Sequence, residues 1–125
     1  MRANVIRRNG FTLIEVLVVL LILGILMNFA LPSYITSVYA SRMGIANANA
    51  RAIATAMQSK ALFSNAYDTT LADYATDMGG ALPLNPCSGT TTGYTITATA
   101  TTARIVATTG TNCGAWTPIT FSLTL

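Results

Sequence analysis

The feature that most constrains this sequence is a long uncharged stretch with a single acid at its start. No charged side chain occurs from Val16 to Ser41, and the residues from Val16 to Leu31 are almost all apolar. A helix needs about 20 predominantly apolar residues to span a bilayer, so this stretch is long enough. Glu15 stands where it begins, and a carboxylate within a membrane helix costs about 2.5–3.5 kcal/mol on insertion scales. The sequence therefore predicts a membrane helix that carries one costly acid.

The charges outside this stretch are unevenly placed. Arg2, Arg7 and Arg8 precede it, as in a segment whose N-terminus stays cytoplasmic. Without those three, the basic and acidic residues balance, four against four: Arg42, Arg51, Lys60 and Arg104, and Glu15, Asp68, Asp73 and Asp77. Direct nucleic-acid binding is therefore not expected from this subunit alone, since it requires a basic patch.

Three other interpretations of the N-terminal segment compete with a retained membrane helix. A cleaved signal peptide is one, because residues 38–40, Val-Tyr-Ala, offer a small-residue cleavage site. The apolar stretch is too long for the core of a signal peptide, however, and Glu15 would interrupt it. A plain signal anchor would leave Glu15 without a role, and a buried core helix is improbable with so long an uncharged stretch.

A helical pattern extends from about Thr12 to Phe63. It is apolar on all sides as far as Leu31 and one-sided beyond Pro32, where apolar residues recur at spacings of three and four: Tyr39, Met43, Ala46, Ala50, Ile53, Met57 and Ala61. A helix of this length, about 75 Å, cannot be buried by a domain of this size, so half of it is expected to protrude.

A bend is expected within this helix. Pro32 lacks a backbone N–H, and its ring crowds the carbonyl of Asn28. Gly24, Asn28 and Pro32 are spaced by four and share one face. Two interpretations stay open, a gentle kink and a segment that unwinds and lengthens, because an extended chain rises about 3.3 Å per residue.

The rest of the chain predicts a loop region followed by a small antiparallel sheet. Glycines and prolines mark residues 64–92 as irregular, whereas period-two patterns over residues 94–99, 103–108 and 116–125 are typical of strands with one covered face. The amphipathic half of the helix is the natural cover. The fold class is therefore α+β.

The two cysteines, Cys87 and Cys113, follow an export-type segment, which favours an oxidising compartment and one disulfide. Two buried free thiols are the alternative. The chain has no histidine, so neither a Ser-His nor a Cys-His arrangement exists and no catalytic residue is expected. No cofactor or metal is expected either, because the spacing of Asp68, Asp73 and Asp77 is not that of an EF-hand and a solvated acidic face is the simpler interpretation.

The residues from Arg7 to Glu15, Arg-Arg-Asn-Gly-Phe-Thr-Leu-Ile-Glu, and the apolar run behind them resemble the type IV pilins and their pseudopilin relatives. The short leader and Phe11 resemble the type IVa branch. The resemblance implies a leader over residues 1–10 and cleavage after Gly10 by a prepilin peptidase, which then N-methylates Phe11. It also implies that Glu15, fifth in the processed chain, directs assembly and that Pro32 bends the helix, with Gly24 on the same face.

The implied fold is a long protruding N-terminal helix packed by its C-terminal half on a small antiparallel sheet, with a disulfide-closed C-terminal region. Residues 11–35 would form the membrane and filament-core half of the helix. Residues 36–125 would form a globular head, made of the amphipathic helix half 36–63, a loop 64–92 and the sheet 93–125.

The implied function is that of a structural subunit and not an enzyme: a major pilin, which polymerises with like subunits into a helical filament. Its partners would be the prepilin peptidase and N-methyltransferase, the inner-membrane assembly machinery, and the membrane itself before assembly. The precursor would lie in the inner membrane as a single-pass protein, and the assembled pilus would cross the outer membrane and serve twitching motility, adhesion or DNA uptake. A minor pilin and a pseudopilin of a type II secretion system are the alternatives.

Overall fold

The computed structural model describes residues 10–125 of the chain. The predicted leader therefore lies outside the described residues except for Gly10, and so do the three arginines within it. Contacts between Cα atoms divide the chain into two compact units, one ending at Ile35 and the other covering Thr36–Leu125.

The first element is one long helix, α1, which covers Leu13–Ser64 and has 52 residues. The prediction of a long N-terminal helix is confirmed, and its ends lie within one residue of those expected. In its first half the large apolar side chains are all exposed, from Leu13 at 83% to Ile35 at 46%. By length and composition this helix is able to cross a membrane.

In the second unit, one face of α1 is buried in the domain core. Its buried residues recur at spacings of three and four: Ala46, Ala50, Ile53, Ala54, Met57 and Ala61. Every one of them except Ala54 is among the apolar positions that the helical pattern singles out. Four of the six are alanines, and small side chains allow the helix backbone to lie close to the sheet it covers.

The sheet has three antiparallel strands in the order β1-β2-β3. Strand β1 covers Tyr94–Ala98, β2 covers Thr102–Ala107 and β3 covers Thr120–Thr124. On β2 the alternate residues Ala103, Ile105 and Ala107 are buried in the same core as the buried face of α1, which is the period-two pattern of a strand with one covered face. The predicted α+β fold is confirmed.

The third strand begins later than the period-two pattern predicts. Strand β3 starts at Thr120, whereas the alternation begins at Trp116. Pro118 has no N–H to donate to a strand, and the N–H of Ile119 donates instead to Oδ1 of Asn47 on α1, at 3.1 Å. The residues before Thr120 are therefore held by the helix and not by the sheet.

The region predicted as a loop, residues 64–92, contains a short helix, α2, over Leu71–Asp77. Its fully buried Tyr74 donates a hydrogen bond to the carbonyl of Asp68 at 3.0 Å. Seven residues are too few for a stable isolated helix, so packing of Tyr74 against the core is what holds α2 in place.

The predicted disulfide joins Cys87 to Cys113, whose Cα atoms lie 5.0 Å apart. Beside it lies Asn85, a fully buried polar residue, whose side-chain amide donates to the carbonyls of Gly93 and Thr108 and whose Oδ1 accepts from the N–H of Cys87. The disulfide and this asparagine together tie residues 85–93 to the segment that follows β2.

Candidate processing and assembly site

The candidate site lies at the start of α1, where the chain forms a capping box. Thr12 precedes the first helical residue, and its Oγ1 lies 3.4 Å from the backbone nitrogen of Glu15. In return, Oε2 of Glu15 accepts from the backbone N–H of Thr12 at 3.3 Å and from its hydroxyl at 3.2 Å. Such reciprocal bonds satisfy backbone donors that no helical carbonyl can reach. The sequence Thr-Leu-Ile-Glu therefore specifies where α1 begins.

Thr12 is not among the site residues predicted from the sequence. The signal is present, because a threonine followed three residues later by a glutamate, directly before an apolar run, is the usual signature of a helix start. The predictions for Glu15 concern its cost in a membrane and its part in assembly, and not its local hydrogen bonds.

The carboxylate of Glu15 is hydrogen-bonded but not ion-paired within residues 10–125. Both hydrogen bonds use Oε2, and no described residue donates to Oε1. The next cationic side chain along the sequence of α1 is Arg42, 27 residues further on. The helix N-terminus itself favours a negative charge at this position.

Gly10 and Phe11 precede the capping box, and the structure places both in open surroundings. A side chain added at Gly10 would meet no atom within 4 Å, and Phe11 is 78% exposed. Packing within the chain therefore does not require glycine at position 10. Cleavage after Gly10 and N-methylation of Phe11 stay predictions.

The two residues predicted to bend the helix lie within α1, which continues through both. Pro32 is inside the helix, and Nδ2 of Asn28 donates to the carbonyl of Gly24 at 3.1 Å. A side chain added at Gly24 would meet no atom within 4 Å, so packing within the chain does not require glycine there. The role of Gly24 and Pro32 in a bend stays a prediction.

The acidic residues that follow α1 are held by hydrogen bonds and ion pairs. Nζ of Lys60 lies 2.7 Å from Asp68 and 2.9 Å from Asp77, and 5.6 Å from the centre of the Tyr74 ring. The hydroxyl of Thr70 donates to the carboxylate of Asp73. Hydrogen bonds to Asp68 and then to Asp77 hold the pKa of Lys60 above its ordinary value. Lys60 thus links the end of α1 to both ends of the α2 region.

Comparisons with known proteins match the part of the chain that contains this site. The family described as the prokaryotic N-terminal methylation motif matches residues 6–27, which include the capping box and the first turns of α1. The type IV major pilin protein PilA of Myxococcus xanthus (strain DK1622) is 36% identical over 94 residues. That alignment covers 75% of this chain and 39% of the relative, so the chain spans about two fifths of the relative's length. No solved structure matches.

The chain carries the matched motif and is similar to a major pilin. It also has a long apolar N-terminal helix, a three-stranded antiparallel sheet and a C-terminal disulfide. These findings support a type IV pilin.

Proposed function

We propose that this chain is the precursor of a pilus subunit, most simply the major one, which polymerises through its N-terminal helix into a surface filament. The observation that carries the proposal is the position of Glu15 at the start of an exposed apolar helix, with one carboxylate oxygen bonded to Thr12 and no ion partner within residues 10–125. The apolar helix and the methylation motif fit a membrane-anchored precursor that is assembled into a pilus.

Processing would supply the missing positive charge. Cleavage after Gly10 creates an amine on Phe11, and N-methylation leaves that amine charged. The amide of Thr12 and its side chain are untouched by the cut, so the capping box persists in the processed chain. The carboxylate of Glu15 would then keep its bonds to Thr12 through Oε2 and offer Oε1 to an amine.

The amine that meets Glu15 would belong to the neighbouring subunit in the filament. Moving an apolar helix from lipid into a bundle of like helices gains little hydrophobic free energy, because lipid tails are as apolar as leucine. A charge pair formed only in the bundle therefore decides which neighbour binds and in which register. This is the sense in which Glu15 directs assembly.

The cellular location of the precursor and the tasks of the filament follow from the same proposal. The precursor would lie in the inner membrane with its N-terminus in the cytoplasm, and would be processed there by a prepilin peptidase and N-methyltransferase. The inner-membrane assembly machinery would then move it into a filament that crosses the outer membrane. Twitching motility, adhesion and DNA uptake are the tasks that such a filament would serve.

The test is mass spectrometry of filaments sheared from cells that express this chain. We expect the chain to be the most abundant protein in the filament, with Phe11 as its methylated first residue and Gly10 absent. A chain that occurs only in trace amounts would be a minor pilin, and a chain found in the membrane but never in surface filaments would contradict the proposal and favour a pseudopilin.

A further inference from the structure

Asp73 and Arg51 are exposed charges of the second unit that form no ion pair among residues 10–125. Asp68 and Asp77 share Lys60, which leaves Asp73 as an acid without a cation. Arg51, on the exposed side of α1, likewise forms no ion pair within the described residues. Asp73 accepts a hydrogen bond from Thr70, which leaves room for a further donor on its carboxylate.

Arg51 lies on the side of α1 that faces β3. Asn47, one helical turn before Arg51, accepts the N–H of Ile119 just before β3 begins. Next to Arg51 an open groove of about 400 Å³ runs between α1 and β3. Ala54 and Gln58 line it on the helix, and the partly buried side chains of Phe121 and Leu123 line it on the strand.

Asp73 lies on α2, which is tied to another side of α1. By helical spacing Lys60 lies on the opposite side of α1 from Arg51, and it binds Asp68 before α2 and Asp77 at the end of α2. The groove and the outward face of α2 are therefore different surfaces of this unit.

The outward face of α2 is small and acidic. Tyr74 faces the core, whereas Ala72, Asp73, Thr76 and Asp77 are exposed, and Asp77 is paired with Lys60. The methyl groups of Ala72 and Thr76 therefore flank the carboxylate of Asp73. A helix face of this kind complements a groove that is apolar in its wall and cationic at its rim.

We propose that the outward face of α2, meaning Ala72, Asp73 and Thr76, docks into the groove between α1 and β3 of a second copy of this chain, where Asp73 pairs with Arg51. The inference rests on the proposed function and names the contact between heads that accompanies the contact between N-terminal helices. Because the two surfaces are different patches of the unit, the contact is head-to-tail. Such contacts build open fibres where the rotation from one copy to the next does not close a ring.

Charge exchange tests this contact in the filament. We expect Arg51→Asp and Asp73→Arg, each expressed as the only copy, to lower the mass of sheared filaments at least about fivefold, because like charges placed together across an interface are strongly unfavourable. The double variant should restore the yield. Arg104→Asp is the matched control, since Arg104 is exposed, forms no ion pair among residues 10–125 and points away from the α1 side of β2.

Cross-linking gives a second readout. Both native cysteines are bonded to each other, so introduced thiols are the free ones. The pair Thr55→Cys, which lies in the groove, and Thr76→Cys, on α2, should give covalent multimers in oxidised filaments, whereas either change alone should not. Membrane levels and protease resistance of the full chain in detergent should stay unchanged in all variants.

Two results would overturn the inference while leaving the proposed function intact: filaments of the chain with both Thr55→Cys and Thr76→Cys that form normally but give no covalent multimers, or single charge reversals that match the yield of the Arg104→Asp control. Absence of the wild-type chain from filaments would instead overturn the proposed function, and this inference with it.

Discussion

The hydroxyl of Thr12 lies 3.2 Å from Oε2 of Glu15, and both residues stand at the first turn of α1. This bond explains how a carboxylate is accommodated at the start of an apolar helix. The charge is hydrogen-bonded within its own chain, which lowers the cost of placing it near lipid. It is not neutralised by any cation among residues 10–125, so it stays available for a partner in an assembly.

The first prediction concerns Thr12. Thr12→Val keeps the shape of the side chain but removes the hydroxyl that caps α1 and binds Glu15, which costs about 0.5–2 kcal/mol of helix stability. We expect a lower yield of sheared filaments with normal membrane levels, whereas Thr12→Ser should behave as the wild type. Equal yields for the valine and serine variants would show that the capping box plays no part in assembly.

The second prediction concerns Gly10. A Cβ added at this position meets no atom of the described residues within 4 Å, so isoleucine there should leave the fold of residues 10–125 unchanged. We nevertheless expect the membrane-bound chain to keep its full mass, because the peptidase would no longer cut after position 10. Gly24→Ala is the control, since its surroundings are equally open and it should be processed normally. Normal processing of the isoleucine variant would refute the cut site.

The third prediction concerns the disulfide. Cys87→Ser should lower the free energy of unfolding of the second unit by about 2–4 kcal/mol, because the cross-link no longer restricts the unfolded chain. Cys113→Ser and the double variant should cost the same amount, since one bond is lost in each case. Urea unfolding of the full chain in detergent measures this. A double variant that costs the sum of the two single variants would point to packing of the side chains and not to the bond.

The fourth prediction concerns Lys60. Lys60→Met should speed hydrogen exchange in α2 and leave β2 unaffected, because Asp68 and Asp77 lose the cation that joins them to α1. Arg104→Met is the control and should change neither element. Unchanged exchange in α2 of the Lys60→Met chain would mean that Tyr74 alone holds this helix in place.

The ion pairs of Lys60 with Asp68 and Asp77 also determine how their contribution to stability depends on pH. The pKa of Lys60 is raised by its bonds to Asp68 and Asp77, so its contribution to stability is complete below its ordinary pKa of 10.5 and is lost only as the pH rises through the higher value of the folded chain. Exchange in α2 of the wild type should therefore show no effect of this group between about pH 6 and about pH 9 once the intrinsic exchange rate is corrected for.

Much of the fold follows from local patterns in the sequence. The helix α1 and the buried face formed by Ala46, Ala50 and Ile53 follow from spacings of three and four, and β2 follows from period two. These patterns are local because the residues on the buried face of a helix or a strand recur at the period of that element. The uncharged stretch and its one acid also lead directly to the candidate site.

The parts that the sequence did not predict depend on contacts between distant segments. Strand β3 starts late because the N–H of Ile119 donates a hydrogen bond to Asn47 on α1. No residue pattern near position 119 indicates that contact. Helix α2 has only 7 residues and is held by Tyr74 and Lys60, so its own propensity is a weak signal. The capping role of Thr12 differs, because its signal is local and was present in the sequence.

The central claim is that the charge of Glu15 directs assembly, while its hydrogen bonds to Thr12 hold the carboxylate in place. Glu15→Gln keeps the shape of the side chain and an oxygen that can accept from Thr12, and it removes only the charge. Glu15→Ala removes all three. Neither change touches the bond after Gly10, so both chains should insert into the membrane and be processed normally.

The most direct test is the mass of filaments sheared from cells in which Glu15→Gln is the only copy, set against its membrane level and its processing. We predict a yield at least about tenfold below that of the wild type, because removing one partner of a buried charge pair costs about 3–5 kcal/mol. Glu15→Ala should fall at least as far. A glutamine variant that builds filaments at the wild-type yield would contradict the claim that the charge of Glu15 is what the growing filament recognises.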